Sequence, residues 1–262
     1  DTYFTNAGLL LDGDTEQALN NIENIAYMID SIGYMPNATS KDLLNRSQPP
    51  LFCQMVKDYY DATGERKFLA RMIPVLEKEY DFWMTRRVAP NGLNRYGHDA
   101  TRQELIDFCN GLAHRVKVDP AGFTDEERVE FGAHLLAEAE SGWDFNPRFK
   151  GRCMDYNPVD LNAILYGFER NMASFVDLLG LPGKEVWDNR ADTRRTLMNK
   201  YMLDPDSGLY YDFDFVCGKR SDVYSAAVFT VFWLGVADRN RAQALVDNLG
   251  QVGRPSGLRK TI

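Results

Sequence analysis

The 262-residue sequence predicts a single all-α domain over 1–262, a toroid of helix pairs whose loops gather at one end. Two apolar stripes and the signals that bracket them predict it. Ala18, Ile22, Ile25, Ile29 and Ile32 step by four and three residues, so one face of that segment must be buried as a helix stripe. Leu161, Leu165, Phe168, Met172, Phe175 and Leu179 repeat the stepping. Asp14-Thr15 caps the first stripe and Gly33 ends it, while Gly180 ends the second.

The remaining elements follow in order. Pro49-Pro50 opens a helix over 49–63, and helices are expected over 66–86, 101–116 and 124–140. After the stripe that ends at Gly180 come helices over 184–201, 221–236 and 238–249. Between two of these, Asp204-Pro205-Asp206-Ser207-Gly208 is a turn signal followed by alternating aromatic and acidic residues to Phe215, which predicts a short hairpin strand with its acids on a solvated face. The loops at 33–48, 95–104 and 141–149 are left to supply the chemistry.

Composition removes several functions. A net charge of −8 with no clustered basic patch argues against a nucleic-acid partner. Cys53, Cys109, Cys153 and Cys217 lack paired spacing and read as small buried hydrophobes, and His98, His114 and His134 lack metal-ligand spacing. The acids of 204–215 lack the glycine and terminal glutamate of an EF-hand loop. No phosphate-cradling loop or nucleophile elbow is present, so no metal or other cofactor is indicated. The longest apolar run, Val223 to Leu234, is broken by Ser225 and Thr230 and falls short of the roughly 20 residues that span a bilayer. The partner expected is a small neutral molecule, with no membrane; location leans to the cytoplasm over export, and the oligomeric state is not specified.

Two loops carry the candidate chemistry. Ser141-Gly142-Trp143-Asp144-Phe145-Asn146 breaks a helical pattern with a flexible residue, a large ring and a carboxylate. An aspartate against an indole in a partly dehydrated pocket favours its neutral form and can donate a proton, whereas the same residue elsewhere is a helix cap or turn aspartate. Gly33 to Thr39 and Leu44-Asn45-Arg46-Ser47-Gln48-Pro49-Pro50 concentrate amides and a guanidinium, which match the alternating donors and acceptors of a sugar ring or, alternatively, a polar surface connector. The 12% aromatic content suits stacking on sugar faces. The glycan-acceptor patterns at Asn37 and Asn45 fall inside this loop and are taken as chance.

These segments resemble the trehalases of glycoside hydrolase family 37. The resemblance runs through Asp1-Thr2-Tyr3-Phe4, the Asn-Arg-Ser-Gln-Pro-Pro core, Arg102-Gln103-Glu104, Ser141 to Phe149 and Val159-Asp160-Leu161-Asn162, in the family's order. It implies an (α/α)6 barrel, incomplete in this chain, and inverting hydrolysis of an α-glucosidic disaccharide, α,α-trehalose foremost. It also implies Asp144 as general acid, with Asp1, Asn37, Arg46, Gln48, Arg102, Glu104 and Trp143 as substrate-binding positions. The family's general base, a glutamate, is expected beyond Ile262, and its first aromatic motif before Asp1. The chain departs from the family at Ala38 to Leu43, where a Gly-Asn-Arg-Ser-Tyr-Tyr run is usual, and at Asn146 to Phe149, where serines are usual. A sister α-glycosidase, or a noncatalytic sugar-binding or structural helical scaffold, are the alternatives.

Overall fold

The computed structural model describes residues 1–238, 241–254 and 257–258, and the fold among them is helical. Helix α1 (Thr2–Leu11) leads into α2 (Thr15–Ile32), where the Asp14 side chain accepts the Gln17 N–H and Gly33 closes the helix at φ 97°. The α2 boundaries are those the cap signals predict. The sequence prediction lacks α1. The Asp1 side chain makes no capping bond, and the buried residue of α1 is the polar Asn6. Its amide donates to the Ala18 carbonyl at 3.0 Å and accepts from Asn21 at 2.8 Å, so α1 docks on α2 partly through amides rather than through a simple apolar stripe.

Helices α3 (Phe52–Thr63) and α4 (Arg66–Arg86) follow, then α5 (Arg102–Leu112) and α6 (Asp125–Ser141). Reciprocal capping boxes start α5 and α6, Thr101 with Glu104 and Thr124 with Glu127. The α5 segment tightens into a 3-10 turn at Ala113–Val116 instead of continuing as α-helix. Gly132 lets α6 lie directly on α5, since a Cβ there would meet the Leu105 carbonyl oxygen at 2.2 Å.

Helix α7 (Val159–Leu179) is buried along almost its whole length, and α8 (Lys184–Tyr201) packs on it. One apolar core joins α2, α3, α4 and α7, and a second joins α7 and α8 to the segments that follow. A buried Glu169–Arg194 pair at 2.8 Å ties α7 to α8, and Tyr80 of α4 donates to the same carboxylate at 2.7 Å.

Toward the C-terminus three expectations need correction. The helix expected over 221–236 is confined to α9 (Val228–Trp233), because the Ser221 side chain takes the Val223 N–H at 3.1 Å and the Ser221 N–H goes to the Asp212 carbonyl at 2.7 Å. The helix expected over 238–249 is α10 (Ala242–Val252); positions 239 and 240 lie outside the described residues. The hairpin expected over 204–215 is a Leu203–Tyr210 bridge followed by β2 (Phe213–Asp214), which pairs antiparallel with β1 (Tyr156–Asn157) and β3 (Lys219–Arg220). Its acids Asp212 and Asp214 are buried, not solvated, because Arg148 and Arg152 pair with them. Strands β4 (Gly253–Arg254) and β5 (Gly257–Leu258) form a separate pair. Cys53, Cys109 and Cys153 are buried free thiols, whereas Cys217 is exposed. Among the described residues no helix is long and apolar enough to cross a membrane.

Candidate active site

The turn that follows α6 is built by its own backbone. Gly142 ends the helix at φ 72°, the Ser141 hydroxyl donates to the Glu138 carbonyl at 2.6 Å, and the Trp143 N–H donates back to that hydroxyl at 3.1 Å. Phe145 then takes a left-handed conformation at φ 55°, which an aromatic residue adopts only at a cost of roughly 1–2 kcal/mol. Strain of this kind is held only where the surroundings fix it, and it stands one residue after Asp144. The next 3-10 turn, Pro147–Phe149, is capped by Asn146 rather than by Asp144. The capping alternative for Asp144 therefore fails: its carboxylate is exposed and holds no hydrogen bond or ion pair among the described residues.

Glu140 fastens the second loop to this turn. One carboxylate oxygen accepts the Ser47 N–H at 2.8 Å and the Arg87 guanidinium at 2.9 Å, and the other accepts the Gly97 N–H at 2.6 Å. The Gln48 amide adds a bond to the Ala139 carbonyl at 3.2 Å. The loops at 33–48 and 141–149 thus meet, as the paired motifs require. Pairing of Pro36 with Ser47 and a bond from the Asn37 N–H to the Arg46 carbonyl at 2.9 Å fold the first loop into a narrow clasp.

Together they border a cleft of about 740 Å³. Asp1, Asn37, Gln48, Trp143 and Asp144 line it, with Asp160 of α7 and Trp233 of α9. Arg46 stands behind the lining, 6% exposed, its Nη1 on the Asn45 side-chain oxygen at 2.9 Å and its buried Nε without a partner. Burial pulls its guanidinium below the usual arginine value, and the charges of Asp144 and Glu140 pull the other way. Arg102 and Glu104 do not line the cleft. Arg102 is exposed and pairs with Glu126 at 2.7 Å; Glu104 closes the α5 capping box and accepts the Asn45 amide at 3.2 Å, so it reaches Arg46 only through Asn45.

The indole is where the sequence reading needs its main correction. Trp143 does not dehydrate Asp144; its Nε1 donates to Asp160 at 2.6 Å and its ring lies 4.7 Å from the Arg148 guanidinium carbon. Arg148 is fully buried between Asp160 and Asp212, each at 2.7 Å, and Asp212 also accepts the Val159 N–H at the start of α7. Burial alone would depress this guanidinium, but the two carboxylates overcome it and hold it well above the usual arginine value. This cluster fixes the tryptophan as a wall of the cleft. The motifs include Trp143 and Asp160, but the sequence marks Arg148 only as a departure from a serine-rich run and Asp212 only as a residue of a solvated strand face.

Glu138, in the last turn of α6 and six residues before Asp144, is a second residue that no sequence motif marks. It is buried, and burial pushes its carboxyl up to about 7, with a Phe145 N–H opposing and the Asp144 charge adding to the rise. Folded Glu138 thus keeps a proton that the unfolded chain releases near 4.5. The stability this proton confers is full below that value and is lost as pH rises through about 7. Glu138→Gln is expected to flatten that loss: in denaturant titrations across this range, the unfolding free energy of the variant falls less than that of the wild type, by at most about 3 kcal/mol. Parallel profiles would show that Glu138 is already ionised in the folded protein.

A ring of helix pairs with a cleft at its loop ends is the architecture of the (α/α)6 toroids, and the described helices form part of one. The trehalase family model matches residues 1–259, and the chain belongs to that family. It is 33% identical over 288 aligned positions to the periplasmic trehalase of Pseudomonas aeruginosa, covering 100% of this chain and 51% of that protein. It is 30% identical to the trehalase of Dictyostelium discoideum, covering 88% of this chain and 42% of that one. The neutral trehalase of Saccharomyces cerevisiae superposes with a TM-score of 0.85 at 26% identity, over 100% of this chain and 54% of that structure. A mannosylglycerate hydrolase of Thermus thermophilus shares the fold at a TM-score of 0.63 and 17% identity, over 95% of this chain and 70% of its own. The chain spans about half the length of the curated relatives it matches.

Proposed function

We propose that the whole protein hydrolyses α,α-trehalose to glucose with inversion, and that this chain carries its general acid and much of one sugar-binding wall. The observation that carries this reading is Asp144 itself, a carboxylate free of structural bonds on the cleft wall, with Asn37 and Gln48 lining the same cleft. Asn37 and Gln48 offer amide donors and acceptors to sugar hydroxyls, Trp143 and Asp1 complete the wall, and Arg46 stands behind it with an unpartnered Nε. Arg102 has no place in this contact set, and Glu104 acts by holding Asn45 against Arg46.

In the proposed reaction Asp144 gives its proton to the glycosidic oxygen while water attacks the anomeric carbon from the opposite face. Water activation needs a second carboxylate about 6.5–9.5 Å from the first. Of the other carboxyls on the cleft, Asp160 is committed to Arg148 and Trp143, and Glu79 is neutralised by burial. Asp1, at the start of α1, matches a sugar-contact position. We therefore assign the base to the part of the protein outside residues 1–262, where the resemblance places it.

Trehalose turnover by the full-length protein is expected to exceed that of maltose and of aryl glucosides. Equal or faster turnover of another α-glucoside would assign a sister specificity, with the Ala38 to Leu43 departure as its source. Similarity to proteins named periplasmic trehalases supports an exported location, against the sequence's lean to the cytoplasm. Cell fractionation tests it: recovery in the cytosol alone would reverse that assignment.

A further inference from the structure

Glu79 has no role in the chemistry above, yet it reaches the same cleft. It lies on α4, which packs against α2, α3 and α7, and it joins Ile25, Phe52 and Met55 on the wall those helices supply. The residue is 1% exposed and its Oε2 is buried without a hydrogen-bond partner. A buried carboxyl left this way destabilises a fold, and native proteins leave few such atoms without a use. The cleft is the open side from which a partner can reach it.

We propose that Glu79 is a ligand-binding residue, its carboxyl hydrogen-bonding a hydroxyl of a neutral sugar seated against the Ile25–Phe52–Met55 wall. Burial alone pushes the carboxyl up to about 8, with no charged neighbour contributing. The titratable group next to it is the Cys53 thiol of α3, itself raised by burial first and by the Glu79 charge second. At neutral pH Glu79 therefore keeps its proton and offers one O–H donor and one carbonyl acceptor, the pairing that a hydroxyl needs. A neutral acid has no Coulombic attraction for a cation, and its O–H donor and C=O acceptor together pair with a hydroxyl, so the chemistry suits an uncharged polyol. This rests on the reading of the cleft as a sugar site and adds a contact on a wall that the motif residues do not reach.

The test uses glucose, which the protein does not turn over, titrated calorimetrically into the full-length wild type, Glu79→Leu and Glu79→Gln, with melting temperatures measured on the same samples. Glu79→Leu should bind glucose about tenfold more weakly, the scale of one neutral hydrogen bond, while melting higher because an unsatisfied buried carboxyl is gone. Glu79→Gln keeps the size and a donor, and should stay within about threefold of wild type. Undiminished glucose binding by Glu79→Leu overturns the inference while leaving the sugar site standing. Should Glu79→Leu fail to fold, Glu79→Ala takes its place under the same expectation: an affinity for glucose about tenfold weaker supports the inference, and undiminished binding overturns it in favour of a structural role. Should the wild type bind neither glucose nor trehalose, the sugar site and the role of Glu79 fall together.

Discussion

Replacing Asp144 by asparagine in the full-length protein should reduce trehalose hydrolysis by at least about 10²–10⁴-fold, the range that general acid catalysis supplies, with sugar binding retained. The side chain keeps its shape and loses its transferable proton. Because Asp144 is exposed and caps no helix, stability should change by no more than about 0.5 kcal/mol, so the loss belongs to chemistry and not to folding. Aryl glucosides should suffer less, since a phenolate leaves with little protonation. Steady-state kinetics on both substrate types checks this: near-normal trehalose turnover by Asp144→Asn would place the acid elsewhere.

The second large effect is on stability. Arg148→Met removes the cation from between two buried carboxylates, Asp160 and Asp212, leaving both charges uncompensated. Breaking a buried pair in this way costs about 3–5 kcal/mol, and activity should fall with it because Trp143 loses the guanidinium against which its ring rests. Arg148→Lys should rescue little. A single ammonium cannot reproduce the fork that bonds Asp212 through Nε and Nη2 while Nη2 also reaches Asp160. Denaturant unfolding of both variants measures it; a loss below about 1 kcal/mol in Arg148→Met would mean that the cluster relaxes or admits water.

What the sequence disclosed follows the range of the interactions. The α2 boundaries were readable because Asp14 and Gly33 act within a turn of the helix they close, and the apolar stripe repeats locally. The meeting of the Arg46–Gln48 loop with the Asp144 turn was readable from two motifs, although the bond that fixes it, Ser47 N–H to Glu140, joins residues 93 positions apart. Arg148, Asp160 and Asp212 were not readable as a unit. Nothing near Arg148 marks a carboxylate 64 positions away as its partner, and alternation alone assigns Asp212 to a solvated face. Helix α1 escaped because an amide, Asn6, provides its buried contact, and the segment from Ser221 was misread because a serine side chain diverts the backbone donors that apolar content would assign to a helix. The indole misled for the same reason: Asp144 is its sequence neighbour, but Asp160 is its partner.

If Asp144 serves an inverting cleavage of trehalose, the anomers of the first glucose formed will reveal it. Proton NMR of full-length protein with α,α-trehalose, recorded before mutarotation, should show α- and β-glucose in equal amounts. The attacked unit inverts to β, while the leaving unit keeps its α-configuration. Glucose appearing only as the α-anomer would show retention, and an absence of glucose would show no hydrolysis; either result contradicts the account.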